Sequence, residues 1–418
     1  MGKAFSDKVE QALQYIYYNE REQKGEEGRN LLVEAIQEGD ADAMCILARS
    51  CCGKKYVWEG HNFPVQDEES IQLLRHSVER GSAIGVLVAL RSGELTPSLV
   101  QKMPFASIQE AFQKVEEMAS QGDPFCQYTV GNTYFWWDFL RIQEKGRESF
   151  GSEEEFRAYL KENIQKCEDW FWRAFHGGVF FAGNNLNRFY QDGDEDLIPP
   201  QPEKAKDIAR IGAEYGYPIW QYSYAWDLWH NEEYGEAVTW YQRAAEGGQM
   251  DAYYWLGCAY DEGRALPEDP QKAAECFDRC LSCEWCSNHI GSANMLGSYY
   301  FEGKGVPQDY AKAYQLLSWA FLASREEVNF GAYYLAKCCF EGLGTQQDYE
   351  LAWKYLQRVD WKNSNADYMR GYLFCNGLGG LPEDIKTGVE LLQKSGTNQA
   401  KEELLKYKKG LFGKWKRR

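Results

Sequence analysis

The sequence predicts an all-α protein, built as a solenoid of about ten antiparallel helix pairs. Two observations lead to this prediction. Glycine, aspartate and alanine recur at fixed spacing through the C-terminal half of the 418 residues. Apolar residues also repeat at helical spacing between links that hold most of the proline and glycine. No alternating apolar and polar run of useful length predicts a β-sheet.

Four copies of one unit recur in the C-terminal half. In each copy a glycine ends the first helix, and an aspartate precedes the second. The glycines are Gly263, Gly303, Gly342 and Gly377, and the aspartates are Asp269, Asp309, Asp348 and Asp384. Glycine suits the left-handed position after a helix, and aspartate suits the N-cap. A small residue within the first helix, Gly257 or Gly297, would let a neighbouring helix approach closely.

The N-terminal half holds looser helix pairs. The predicted pairs are 6–19 with 27–37, 41–51 with 70–79, 82–91 with 108–120, 125–137 with 163–175, 179–190 with 203–215, and 219–229 with 236–247. A charged insert, 141–162, splits the fourth of them. The predicted organisation is a single array over 1–418. It has degenerate pairs with inserts in 1–215, well-formed repeats in 216–396, and a capping helix (399–408) with a basic tail in 397–418.

Charge and hydropathy restrict the possible partners and location. The net charge is −17, of which the last 18 residues contribute +6 and the rest −23. Such an acidic body argues against nucleic acid as a partner. The basic tail could contact an anionic surface or a partner, or could cap the last repeat. No signal peptide or membrane-spanning run is found, so we expect a cytoplasmic protein with reduced cysteines.

The repeat resembles the Sel1-like family, a relative of the tetratricopeptide repeat. The segment ANMLGSYYFEGKGVPQDYAKA, residues 293–313, follows that family's pattern at nearly every position. The resemblance is specific over 236–395 and weak over 1–200, and the ending from Lys408 resembles those of bacterial members. It implies a right-handed α/α superhelix whose first helices line a concave groove. It also implies a non-enzymatic scaffold or adaptor that binds other proteins.

Likeness to tetratricopeptide repeats assigns certain first-helix positions to the groove. The predicted partner-binding residues are Tyr128, Asn132, Phe135, Tyr222, Trp226, Trp229, Tyr254, Asn294 and Tyr333. Aromatic rings with a polar edge are frequent anchors of binding surfaces. The alternative is that these rings fill the core or bridge adjacent repeats. The expected ligand is a protein or peptide, and acidic side chains would steer a basic one.

A cysteine cluster allows a second hypothesis. Cys276, Cys280, Cys283 and Cys286 are followed by His289, and Cys-x2-Cys-x2-Cys is a spacing that metal sites use. Cys280, Cys283, Cys286 and His289 could therefore bind a metal ion, in a metal-sensing or redox-sensing protein. The alternative is that Cys276 and Cys280 are small core residues, and that Cys283 and Cys286 are thiols in the link that bind nothing.

The sequence contains no catalytic signature. The histidines are scattered, and neither a His-Glu-x-x-His pair nor a Gly-x-Ser-x-Gly turn occurs. We therefore expect no enzyme activity, no catalytic residues and no cofactor. A third hypothesis is an immunity-type protein that neutralises a basic toxin, which an acidic surface would suit.

Overall fold

The computed structural model describes residues 4–418 except 19–23, 52–62, 64–66, 195, 284–285, 325–329, 360–361 and 411–413. Over this part of the chain the protein is all-α, apart from a C-terminal β-hairpin and one isolated β-bridge. The chain divides into two compact units. Unit 1 comprises Met1–Asn231 with Glu246–Gln249, and unit 2 comprises Glu232–Ala245 with Met250–Arg418.

Unit 1 is a series of helices that pack on their neighbours in the chain. They are α1 (Asp7–Leu13, continued by a π-helical turn over Gln14–Tyr18), α2 (Gly25–Gln37), α3 (Ala41–Cys51), α4 (Asp67–Glu79), α5 (Ala83–Ser92), α6 (Pro97–Val100), α7 (Ile108–Ser120), α8 (Pro124–Phe135), α9 (Asp138–Ile142), α10 (Glu153–His176), α11 (Phe180–Asp192), α12 (Pro202–Glu214) and α13 (Pro218–His230). Helix α10 is longer than predicted, because the C-terminal part of the charged insert is helical from Glu153.

Unit 2 contains the regular repeats and the C-terminal hairpin. Its elements are α14 (Tyr234–Glu246), α15 (Ala252–Glu262), α16 (Pro270–Leu281), α17 (His289–Glu302), α18 (Tyr310–Ala323), α19 (Gly331–Glu341), α20 (Tyr349–Leu356), α21 (Ser364–Asn376), α22 (Ile385–Ser395), α23 (Asn398–Leu404), β1 (Tyr407–Lys409) and β2 (Trp415–Arg417). The first and second helices of each repeat pack together: α15 with α16, α17 with α18, α19 with α20, and α21 with α22.

The glycines and aspartates of the repeat have the conformations that the sequence predicts. The four glycines that end the first helices are left-handed, with φ between 60° and 74°. Each of the four aspartates caps the second helix, because its carboxylate accepts a backbone N–H at 2.9–3.1 Å. An ideal Cβ on Gly257 would lie 2.6 Å from Phe277, so that glycine permits close packing of α15 and α16.

A second glycine in three of the four turns has a role that the sequence analysis did not assign; the turn after Gly263 has Ala265, with φ 58°, at that position. Gly305, Gly344 and Gly379 are also left-handed. An ideal Cβ on Gly305 would lie 2.3 Å from the carbonyl oxygen of Pro270, in the first turn of α16. On Gly344 it would lie 2.2 Å from the carbonyl oxygen of Tyr310, in the first turn of α18. These glycines therefore let one repeat contact the backbone of the repeat before it.

The C-terminal tail forms a hairpin that covers the last repeat. Helix α23 ends at Leu404, earlier than predicted, and β1 pairs antiparallel with β2. Tyr407 is buried against Val389 and Leu392 of α22. Arg417 donates to the carbonyl oxygen of Cys375 at 3.0 Å and forms an ion pair with Glu383 at 3.2 Å. Trp415 belongs to the same cluster, whereas Leu411 and Phe412 lie outside the described residues.

No helix in the described part of the chain combines the length and the apolarity that crossing a membrane requires.

Candidate functional site

Three helices of unit 1 form a groove that we call the α11–α13 groove. Its volume is about 500 Å3. The lining residues come from α11, α12 and α13: Asn187, Gln191, Pro202, Ala205, Lys206, Ala209, Trp220, Tyr222, Ser223, Trp226 and Asp227. Two of the predicted partner-binding residues, Tyr222 and Trp226, therefore lie in one cavity.

Trp220 determines how closely the three helices approach. An ideal Cβ on Gly212 of α12 would lie 2.4 Å from Trp220 Cγ, and one on Gly183 of α11 would lie 2.7 Å from Trp220 Cζ2. The indole is thus packed between two glycines and is buried. Its Nε1–H points at the Phe180 carbonyl oxygen, 3.4 Å away. Because the Trp220 ring packs directly against the backbone at these two glycines, the bottom of the groove is preformed.

Trp226 is a large exposed aromatic residue of the groove. Its side chain is 43% exposed, although it is among the largest apolar groups of the chain. The ring of His230, one helical turn later, lies 3.9 Å from the Trp226 ring. His230 Nδ1 also lies 2.7 Å from the carbonyl oxygen of Trp226. Tyr222, one turn earlier on the same helix, is half-buried. The helix therefore presents a row of aromatic groups at i, i+4 and i+8.

The groove carries both signs of charge on its walls, with an excess of acid nearby. Lys206 and Asp227 line it. Burial raises the pKa of Asp227, an effect that His230 and Lys206 partly oppose. Between residues 180 and 231 the chain has eight acidic and four basic residues.

Four other predicted binding residues of unit 1 are buried: Tyr128, Asn132, Phe135 and Trp229. The Tyr128 ring lies 6.1 Å from that of Phe171, and the Asn132 side chain accepts from Asn185 at 2.8 Å. In this conformation such side chains offer little surface to a partner. The partner-binding hypothesis for unit 1 is thereby concentrated on Tyr222 and Trp226.

In unit 2 the predicted binding residues lie in separate places. Asn294 is buried within α17. Tyr254 is half-buried and packs against Gly291, where an ideal Cβ would lie 2.8 Å from its ring. Tyr333 is half-buried and lines a cavity of about 20 Å3 with Lys337 and Tyr368. That cavity is too small for a peptide side chain, so none of these residues forms a groove comparable to that of α11–α13.

The cysteine cluster is only partly as predicted. Cys280 and Cys286 do lie together, but the third potential ligand beside them is Asp251. The ligand atoms of these three residues lie within 4.8 Å of one another, and all three residues are buried. Cys283 and His289 are not part of this group. A hydrogen bond joins the two thiols. It lowers the pKa of Cys280 and raises the pKa of Cys286.

Two residues that matter here were missed by sequence reasoning. Trp220 is buried, as is Trp229 of the same helix, but it packs on glycines of two other helices, and Asp251 lies 29 residues before Cys280. The helical period of α13 places Trp220 in the same apolar stripe as Leu228, eight residues later, and so could have ranked it as buried. Nothing local to the cysteine motif points to Asp251.

Comparison with known proteins identifies the repeat. The family model described as "Sel1 repeat" matches residues 231–249, 251–279, 291–320, 330–358 and 364–398. No curated protein matches the chain by sequence.

Two solved structures to which the chain is similar are a Sel1 repeat protein from Oxalobacter formigenes and c5321, a protective antigen of uropathogenic Escherichia coli with an SLR fold. The first is 20% identical with a TM-score of 0.45, covering 80% of this chain and 89% of its own. The second is 17% identical with a TM-score of 0.46, covering 96% and 86%. A third, the hetero-tetramer Cut9-Hcn1 of the APC/C, is 12% identical with a TM-score of 0.34, covering 96% of each chain.

Proposed function

We propose, from the premise that this is a Sel1-repeat protein, that it is a non-enzymatic scaffold or adaptor that binds a segment of another protein. Solenoids of this repeat type are typical of protein–protein interaction scaffolds. The docking point that we propose is the α11–α13 groove. The observation that supports this choice most strongly is the exposure of Trp226 beside a preformed cavity.

The energetic argument rests on the size of the indole. Covering the exposed 43% of Trp226 would bury roughly 100 Å2 of ring, which contributes roughly 2.5 kcal/mol. Because Trp220 fixes the three helices, the groove loses little conformational entropy when a ligand docks. Tyr222 adds a half-buried ring to the groove. Such a rigid aromatic anchor in a pocket is the usual centre of a binding site.

The charge of the groove favours a basic ligand. Asp227 and Lys206 both line the cavity, and acidic residues exceed basic ones two to one across 180–231. A lysine or arginine of the ligand could pair with Asp227 while its aliphatic part packs on Trp226. We therefore propose a cationic segment with at least one apolar side chain as the ligand.

The test is a capture experiment from a lysate of the source organism. Purified protein is used as bait in three forms: wild type, Trp226→Ala and Trp319→Ala. Trp319, on α18 of unit 2, is 46% exposed and so is a matched control for loss of a surface tryptophan. We expect the wild type and Trp319→Ala to retain a stoichiometric protein that Trp226→Ala does not retain. The partner should be released by salt, because screening weakens charge pairing at the surface.

Circular dichroism of the variants accompanies the capture. Trp226→Ala should retain the helicity of the wild type, since over two-fifths of the side chain is already in water. Capture of the same partner by Trp226→Ala at wild-type yield would contradict the assignment of the groove. Capture of no stoichiometric protein by any of the three forms would contradict the scaffold function itself.

A further inference from the structure

A group of buried side chains in unit 2 has no part in the proposed groove. It consists of Asp251, immediately before α15, Cys280 in the last turn of α16, and Cys286 in the link before α17. Each is at most 5% exposed. We call this group the Asp251–Cys280–Cys286 cluster. Its members come from three segments, so their convergence is a product of the fold.

The link between α16 and α17 brings the two cysteines together. The Cys283 N–H donates to the Cys280 carbonyl oxygen at 3.3 Å, and the Cys286 N–H donates to the Cys283 carbonyl oxygen at 3.2 Å. These hydrogen bonds hold Cys286 close to the end of α16, and its sulfur lies within 4.8 Å of the Cys280 sulfur. Cys283 is only half-buried and does not join the group.

Asp251 is held in place by hydrogen bonds to one of its oxygens. Asp251 Oδ1 accepts from Ser287 Oγ at 3.0 Å and from the backbone N–H of Asn288 at 2.8 Å. These bonds orient the carboxylate towards the cysteines and tie it to the start of α17. Such outer hydrogen bonds to a carboxylate are a common feature of protein metal sites.

We propose that the Asp251–Cys280–Cys286 cluster binds a zinc ion. Two thiolates and one carboxylate are ligands that Zn2+ accepts, and three protein ligands leave a fourth position for water. With a Zn–S distance of 2.3 Å, two sulfurs on a tetrahedral ion lie about 3.8 Å apart. The ligand atoms of the cluster, all within 4.8 Å of one another, need only small side-chain adjustments to reach this separation.

The chemistry of burial also favours a cation at this position. A buried carboxylate beside two thiols loses hydration, and a divalent ion would compensate its charge. Binding would displace one proton from each thiol, so that two thiolates and one carboxylate surround the ion. The ion would fasten the start of α15, the end of α16 and the link before α17 to one another. This inference is independent of the groove, which lies in unit 1.

The first experiment measures retained zinc. The full chain is stripped with a chelator under reducing conditions, incubated with one equivalent of zinc, separated from free metal and assayed by mass spectrometry of the metal. We expect about one zinc per chain for the wild type and for the control Cys276→Ser, which removes a half-buried thiol one turn earlier on α16. Cys280→Ser and Cys286→Ser should retain at least tenfold less.

A second measurement does not depend on the folding of any variant. Cobalt(II) replaces zinc in the wild type, and a site with two thiolates gives a sulfur-to-cobalt charge-transfer absorption that added zinc abolishes. Absence of retained zinc and of that absorption in the reduced wild type would overturn the proposal. So would equal retention by Cys280→Ser and the wild type. Loss of two hydrogens in the intact mass of the unreduced wild type but not of Cys280→Ser, with no zinc retained after reduction, would overturn the zinc site in favour of a disulfide between Cys280 and Cys286.

Discussion

In the turns that have a second glycine, close contact with the preceding repeat depends on that glycine, and replacing Gly344 tests this directly. Gly344 has φ +68°, and an ideal Cβ on it would lie 2.2 Å from the carbonyl oxygen of Tyr310 and 2.3 Å from its carbonyl carbon. Both atoms belong to the backbone of α18, so they cannot rotate away. Gly344→Ala must therefore either shift α18 or push the turn off it.

The expected loss of stability has two parts. Left-handed backbone costs a residue other than glycine about 1–2 kcal/mol. Overpacking against fixed backbone costs a further 1–3 kcal/mol or so. Gly380→Ala provides a matched control, because Gly380 has φ +73° but no atom within 4 Å of an ideal Cβ. Gly380→Ala should therefore lose only the free energy that the left-handed backbone costs.

The assay is urea unfolding followed by circular dichroism, with wild type, Gly344→Ala and Gly380→Ala measured together. We expect Gly344→Ala to lower the free energy of unfolding by about 2–5 kcal/mol, and Gly380→Ala by about 1–2 kcal/mol. Equal losses for the two variants would refute the reasoning, since they would show that only backbone strain matters at Gly344 and that the turn does not contact the preceding repeat.

Two further predictions concern buried polar groups. Arg370 is fully buried, forms an ion pair with Asp367 and donates to the carbonyl oxygens of Leu356 and Val359 at 2.7 and 2.6 Å. Arg370→Ala should therefore lower the urea-unfolding free energy by about 3–5 kcal/mol, and a loss below about 1 kcal/mol would contradict this. Burial raises the pKa of Tyr17 to about 12 from 10.0. As pH rises, the unfolded chain loses the Tyr17 proton before the folded protein does. The free energy of unfolding should therefore fall between pH 10 and 12, by up to about 2–3 kcal/mol. Tyr17→Phe should reduce the slope of the urea-unfolding free energy against pH.

Local chemistry made the repeats of unit 2 predictable. A glycine at the end of a helix and an aspartate at the start of the next are set by backbone conformation and hydrogen bonding within a few residues. Gly303 and Asp309, for example, have the predicted left-handed φ and N-cap hydrogen bond. The longer helices of unit 1 were also predicted, whereas the short helices α6 and α9 were not. Boundaries moved where a charged segment such as Glu153–Glu155 begins a helix behind the Ser152 cap.

What the sequence could not predict depends on contacts between distant segments. The burial of Trp220 depends on where two glycines lie on other helices. The register taken from tetratricopeptide repeats ignores this packing, so it also selected buried residues such as Asn132. Asp251 joins the cysteines only through the fold. The C-terminal hairpin was missed because each of its strands has three residues, too few for an alternating pattern to show.

The most direct test of the proposed function is the affinity of the captured partner for three forms of the protein. Titration calorimetry gives the dissociation constant for wild type, Trp226→Ala and Trp319→Ala. If the α11–α13 groove is the docking site, Trp226→Ala should weaken binding by about 2 kcal/mol, or roughly 30-fold. Trp319→Ala should change it by less than about threefold. Binding of Trp226→Ala at wild-type affinity, or an equal loss in both variants, would contradict the account.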